Sequence, residues 1–179
     1  MRTSKKEHLL LTAIGIVDKH GLEALTYESL AEASGLSKSG LIYHFPSRHA
    51  LLLEINRYLA AQWEAQLTAA AGAPIEELDD AARARAAVRV CSSNATRADL
   101  LFALDASREP EFNEIWEKVL GDWQLPRAMI LTDPRRYLVH LIGDGLWVHD
   151  HINGFALTEK ERQSLIEAAL TLIDEKPSA

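Results

Sequence analysis

Apolar positions recur at helical spacing from one end of the chain to the other, and no run alternates as a strand would. Leu10, Ala13, Ile14 and Val17 mark one face of a first helix, which Gly21 stops. Thr26 can cap a short second helix, Tyr27 to Ala33, with Glu28 in its electropositive first turn. Gly35 stands where a helix ends in a left-handed residue. Ser37 can cap a third helix that Pro46 ends. Ser47 opens a long fourth helix, whose buried side is marked by Leu51, Ile55, Leu59, Trp63 and Leu67. The run AAGAP at 70–74 is the clearest break. Beyond it the pattern predicts helices over 75–93, 97–106, 110–123, 134–152 and 158–174. Pro74, Pro110 and Pro134 fall at first-turn positions, and TEKE (158–161) has the spacing of a capping box. The expected fold class is all-α, with about nine helices and no internal repeat.

Composition narrows the class. A hydrophobic content of 47% is that of a globular chain. The longest apolar candidate for a membrane span, Tyr137 to Ile152, is broken by His140, Asp144, His149, Asp150 and His151. No small-residue cleavage site follows the basic start MRTSKKEHLLL. The single Cys91 permits neither an internal disulfide nor a cysteine-rich zinc site, so a cytoplasmic protein is expected. Of the formal net charge of -7, the first 48 residues carry +1, with six basic side chains against five acidic ones. The remaining -8 lies beyond them. Two parts with different electrostatic roles are expected.

Residues 27–45, YESLAEASGLSKSGLIYHF, read as two short helices joined by a tight turn. Ala31 lies four before Gly35, which lets the helices cross closely, as a helix-turn-helix requires. On a helical wheel Leu41 and Phe45 share one side, with Ile42 close to it. Ser39, Gly40, Tyr43 and His44 point the other way. That face is small and polar at the helix start and hydrogen-bonding at its end, so it can enter a major groove and donate to phosphates. Lys38 falls on the apolar side, but its long stem can reach outward from the first turn. The alternative is an αα-hairpin with a solvated face, since the turn pattern alone is weakly diagnostic.

More than the pair matches. Ser4 through Leu53, and LAEASGLSKSGLIYHFPSRHALL most specifically, resemble the DNA-binding domain of TetR-family transcriptional regulators. MRTSKKE and the small size look like the branch that represses multidrug-efflux genes. The resemblance implies a three-helix helix-turn-helix domain over 1–47 and a helical ligand-binding and dimerisation domain over 48–179. It implies that Lys38, Ser39 and Gly40 face base edges of a near-palindromic operator, while Thr26, Ser37, Tyr43, His44 and Arg48 hold phosphates. His49 departs from the family, which usually has an acidic residue there at the start of the fourth helix, and this is expected to weaken the cap. The resemblance also implies that the last two helices pair with their copies in a homodimer. Gly143, Leu165, Ala169 and Leu172 suit such close packing.

The second part holds all four tryptophans. Phe112, Trp116, Val119 and Trp123 lie along one helix face, and packed core is the ordinary outcome for such a stripe. Nearby acids tilt the reading, because a carboxylate beside aromatic faces suits an aromatic cation. The expected inducer is therefore a flat or bulky organic cation in a pocket lined by Trp63, Phe102, Trp116 and Trp147. Asp105 or Asp144 is the counter-charge, Asp105 being favoured because it ends the apolar run LLFAL. Alternatively, these acids simply face solvent. His140, Asp144, Trp147 and His151 form one stripe that could hold a divalent metal, although polar groups so spaced are more commonly solvated; a metal or a non-cationic metabolite is the alternative effector. No resident cofactor or metal is expected. There is no G-x-S-x-G elbow, phosphate-binding glycine loop or H-E-x-x-H, so an enzyme is not expected.

Overall fold

The computed structural model describes residues 4–174, and among these it contains ten α-helices and no strand. The chain divides into two compact units, each with its own core. The first comprises residues up to Ala61 together with Thr96–Glu117. The second comprises Gln62–Ala95 and the chain from Lys118 onward.

The first unit begins with α1 (Lys5–His20), capped by a reciprocal pair of bonds between Ser4 and Glu7. Gly21, with φ 88°, ends it and leads through a 3-10 turn, Leu22–Ala24, into α2 (Tyr27–Ser34). Thr26 caps α2 reciprocally with Ser29. Gly35 takes the left-handed conformation expected of it, φ 70° and ψ 12°. α3 (Lys38–His44) follows, and Phe45 leaves it in the extended conformation that a following proline imposes. α4 (Arg48–Ala71) is opened by Ser47, whose Oγ accepts from Ala50 N at 3.0 Å.

Two later helices complete this core: α6 (Arg97–Ala106) and α7 (Pro110–Trp123) up to Glu117. Phe102 and Phe112 are buried among Leu9, Val17, Leu30, Leu41, Phe45 and Ile55. Polar ties fix α6 in place. Asp18 Oδ1 accepts from Ala98 N at 3.1 Å, while Arg97 Nη1 donates to Lys19 O at 3.1 Å. Each tie satisfies a helix end that would otherwise lack a partner. Asn56 is fully buried, donating to Leu52 O and accepting from Trp116 Nε1, both at 2.9 Å.

The second unit is built on α5 (Asp80–Cys91), α9 (Pro134–Ile152) and α10 (Glu159–Asp174), with a short α8 (Met129–Thr132). Ala84, Val88, Val139, Ala169 and Ile173 form one cluster; Leu67, Ala86, Val90 and Trp123 form another. The Thr158–Glu161 box caps α10 as its spacing predicts. Arg162 ties three carbonyl or carboxylate groups: Leu146 O at 2.6 Å, Ser92 O at 3.2 Å and Asp150 Oδ1 at 2.8 Å.

Two sequence expectations are corrected. The helix expected over 75–93 is a 3-10 turn, Ile75–Glu77, followed by α5. Asp79 separates them by accepting from Ala82 N at 2.7 Å, the geometry of an N-cap. α8 was not expected, since its four residues are too few to show a period.

Candidate nucleic-acid interface and ligand residues

The turn between α2 and α3 is held by two features legible in its residues. Gly35 N donates to Ala31 O at 3.0 Å, and Ser37 Oγ accepts from Gly40 N at 3.2 Å. A third is not legible: Tyr27 donates its hydroxyl to Phe45 O, tying the start of α2 to the end of α3. Leu41 and Phe45 are fully buried beneath α3.

The opposite face of α3 is open. Ser37, Lys38, Ser39 and Tyr43 are exposed, Tyr43 at 86%, while His44 is half-buried with its ring edge-on to Tyr43. Ser37 Oγ and Ser39 Oγ lie 3.0 Å apart, and Thr26 is exposed at the start of α2. Hydroxyls, an ammonium and an imidazole thus share one surface, with no carboxylate on α3 itself.

Four residues sit otherwise than the sequence suggested. Ile42, expected near the apolar side, is 44% exposed. Seven residues are too short a helix to cover both it and Leu41. Gly40 is half-buried, and a Cβ there would lie 3.3 Å from Leu36 Cδ2, so only its backbone is offered outward. Arg48 donates to Leu25 O at 3.1 Å and Leu22 O at 3.0 Å, committing much of its guanidinium to the 3-10 turn. His49 makes no capping bond and instead stacks on Phe112, with its ring nitrogen 2.8 Å from Glu111. Sequence reasoning passed over Glu28 as a site residue. Its Oε1 accepts from Lys38 Nζ at 2.5 Å, a pairing across the turn that no helical spacing reveals.

The expected pocket residues divide between the two units. Phe102 is fully buried, and Trp116 spends its indole N–H on Asn56. Burial raises the Asp105 carboxyl above the ordinary value, Arg48 opposes that, and Glu109 and Glu23 add to it. Phe102 and Trp116 therefore have roles inside the first unit, and Asp105 belongs to that same unit, whereas Trp63 and Trp147 belong to the second. In the second unit Trp63 and Trp147 meet edge-to-face, 5.8 Å between ring centres, both half-buried. Asp144, one turn before Trp147 on α9, keeps its side chain 59% exposed, yet the surrounding protein removes enough water to raise its carboxyl above the ordinary value, with His140 at 3.8 Å opposing the shift. The Cys91 thiol nearby is pushed up to about 12 by burial and by the Asp144 charge. His151 turns its ring to Ala95 O at 2.6 Å, away from a common site with His140. No group of three metal-ligating side chains occurs among the described residues.

The expected dimer residues also divide. Gly143 is buried against Cys91 and Ala169 lies in the subunit core, because both occupy the inward faces of their helices. Leu165 is exposed at 45% and Leu172 half-buried. On α9, Leu138, Leu141, Gly145 and Ile152 are exposed and Val148 is half-buried, and these positions alternate three and four apart. Such spacing is what a helix offers to a partner helix.

A helix-turn-helix with an open polar face, set in an all-α chain, defines a DNA-binding regulator. Residues 9–55 match the family model for bacterial regulatory proteins of the tetR family, and residues 81–174 match the tetracyclin repressor-like C-terminal domain. The chain therefore belongs to the TetR family of transcriptional regulators, a DNA-binding and non-enzymatic class.

The regulator RutR of Escherichia coli K12 is 34% identical over 67 residues, which is 37% of this chain and 32% of RutR. The chain thus matches about a third of that relative's length. Among solved structures, the multidrug binding protein EbrR complexed with imidazole covers 99% of both chains at 18% identity and TM-score 0.61. The same protein complexed with proflavin gives a TM-score of 0.53. A transcriptional regulator from Saccharomonospora viridis in complex with choline covers 97% of both chains at 16% identity and TM-score 0.65. These likenesses establish the fold. No helix among the described residues is long and apolar enough to cross a membrane.

Proposed function

We propose that this protein is a cytoplasmic, homodimeric repressor that leaves its operator when a hydrophobic organic cation binds, and that it governs a multidrug-efflux gene. The observation that carries the DNA-binding part is the open face of α3, where Lys38, Ser39 and Tyr43 are exposed and His44 is half-buried, over a buried Leu41 and Phe45. Residues 1–47 read the DNA, and residues 48–179 sense and dimerise. Lys38, Ser39 and the Gly40 backbone address base edges, while Thr26, Ser37, Tyr43 and His44 address phosphates. Arg48 contributes chiefly by holding the 3-10 turn. Two reading helices about 34–36 Å apart fit a near-palindromic site. The dimer is carried by the outward seam of α9, with Leu165 and Leu172 of α10; two-fold pairing buries the same patch from each copy.

Cation sensing is assigned to Trp63, Trp147 and Asp144, an aromatic pair and a carboxylate of one unit. Proflavin and choline, held by two proteins of this fold, are both organic cations, which supports that choice. Trp63 and Arg48 share the continuous helix α4, so displacing Trp63 stresses the helix that anchors the 3-10 turn. The ligand must prefer the released state; a difference of about 3 kcal/mol weakens operator binding roughly 150-fold.

A gel shift with DNA from upstream of the gene tests the reading, repeated across salt concentrations and with proflavin or choline added. Retarded complexes that weaken with salt and with the cations are expected. Binding indifferent to salt, or release by anions and not by cations, overturns the corresponding half.

A further inference from the structure

Glu28 and Lys38 stand on opposite arms of the turn, and their side chains meet at 2.5 Å while remaining 70% and 59% exposed, respectively. An ion pair so open to water contributes little to folding, too little to explain its placement. Nor is Glu28 a loose surface carboxylate. The Lys38 ammonium, its own backbone N–H at the start of α2 and the Thr26 hydroxyl together hold its carboxyl below the ordinary value. The pair therefore lies between Thr26 and Ser39, within the surface assigned to DNA, and is anchored at its acidic end.

We infer that Glu28 is a specificity-determining residue: it neutralises and aims Lys38, so that Lys38 reads a base pair instead of adding to unspecific attraction for phosphate. The inference rests on the DNA-reading role proposed for α3. A free lysine is a flexible point charge that satisfies itself on any phosphate. Held by Glu28, its ammonium has one N–H engaged and the rest directed. A G·C pair shows two acceptors, guanine N7 and O6, and one donor, cytosine N4, in the major groove. An ammonium and a carboxylate side by side present the complementary pattern. On a phosphate backbone the same pair is nearly neutral and gains little. Glu28 thus converts affinity into discrimination, the use of a repulsive element to exclude wrong partners.

The test uses the full chain, its Glu28→Gln and Lys38→Met variants and the double variant. Each is used to select sites from a random duplex library, and each is titrated by anisotropy against a fixed duplex lacking the selected site. Glu28→Gln is expected to tighten binding to the fixed duplex and to steepen its salt dependence by a slope of about 0.9 for each lysine freed. With two reading heads, the fall in affinity between about 50 and 200 mM salt grows roughly tenfold. The selected sites should lose their G·C preference beneath the start of α3. In the Lys38→Met background, Glu28→Gln should change neither readout.

Two results overturn the inference while leaving the DNA reading intact. Either Glu28→Gln selects the wild-type site with the wild-type salt slope, or it tightens binding equally without Lys38, which makes Glu28 a general repellent of phosphate. If no variant, nor the wild type, selects a site or binds duplex, the DNA-reading role of α3 falls first.

Discussion

Gly143 offers a sharp test of how the second unit is packed. A Cβ added there would lie 3.3 Å from Cys91 Cβ, 3.6 Å from Cys91 Sγ and 3.6 Å from the Val88 Cα. Gly143→Ala gains about 0.8–1.0 kcal/mol of helix propensity. Against that gain stands one contact tighter than van der Waals packing usually permits, relieved by a shift of a few tenths of an ångström. The two nearly cancel, and stability should change by less than about 1 kcal/mol. Gly143→Leu is different, because it adds three more carbons at a position where the Cβ alone already meets Cys91 and the Val88 Cα. Overpacking of this kind costs about 1–3 kcal/mol, which lowers Tm by about 2–4 °C for each kcal/mol in a chain of this size. Thermal and urea unfolding, followed by circular dichroism, measure both variants. Cys91→Ala should cost less in the Gly143→Leu background than in the wild type, with a coupling of at least about 0.5 kcal/mol. If Gly143→Leu unfolds like the wild type and merely shifts the protein from dimer to monomer on a sizing column, the residue faces a partner and the packing argument is wrong.

Replacing Asn56 by alanine strands the Trp116 indole N–H and should cost about 1–3 kcal/mol, with a shift in tryptophan emission; unchanged emission and stability would mean the bond does not hold in solution. Glu at Leu141 or Ile152 should yield monomers on a sizing column that no longer bind operator DNA, because a charge enters the seam on both copies; persistent dimers from both variants would place the interface elsewhere. The raised carboxyl of Asp144 sets two pH effects of known sign. Folded chain holds that proton more tightly than unfolded chain, so stability attributable to Asp144 is present in acid and lost as pH rises through the window above 3.8, a slope that Asp144→Asn should remove from a Tm-against-pH series. Proflavin affinity should rise over the same window and be flat in Asp144→Asn; an identical profile in both proteins would show that another group supplies the charge.

How much of this was legible in the sequence follows the range of the interactions involved. α6, α7 and α9 lie where their prolines, caps and apolar spacing predict, because those signals are local. The reading head was equally legible, since Thr26, Gly35, Ser37 and Pro46 each dictate a backbone geometry within four residues. Gly143 and Ala169 were misjudged because small residues permit close helix packing without saying whether the neighbour is the same chain or a copy. Phe102 and Asp105 share an apolar run, yet only the folded chain shows that one fills a core and the other feels the charges of Arg48 and Glu23. Glu28 escaped notice for a similar reason: its partner is ten positions away, across a turn.

The first unit draws its core from two stretches of chain, and that limits how such regulators can be recombined. Phe102 and Phe112 reach the reading head from beyond residue 95, and Asp18 and Arg97 lock the two stretches together. A head transplanted as residues 1–47, or even up to Ala61, would leave behind the aromatic centre of its own core. It would reach its new host with Leu9 and Val17 uncovered, and in the longer graft Ile55 as well. Operator preference can still be exchanged between relatives, but by rewriting the exposed residues of α2 and α3 in place. Any larger graft has to take Thr96–Glu117 with it.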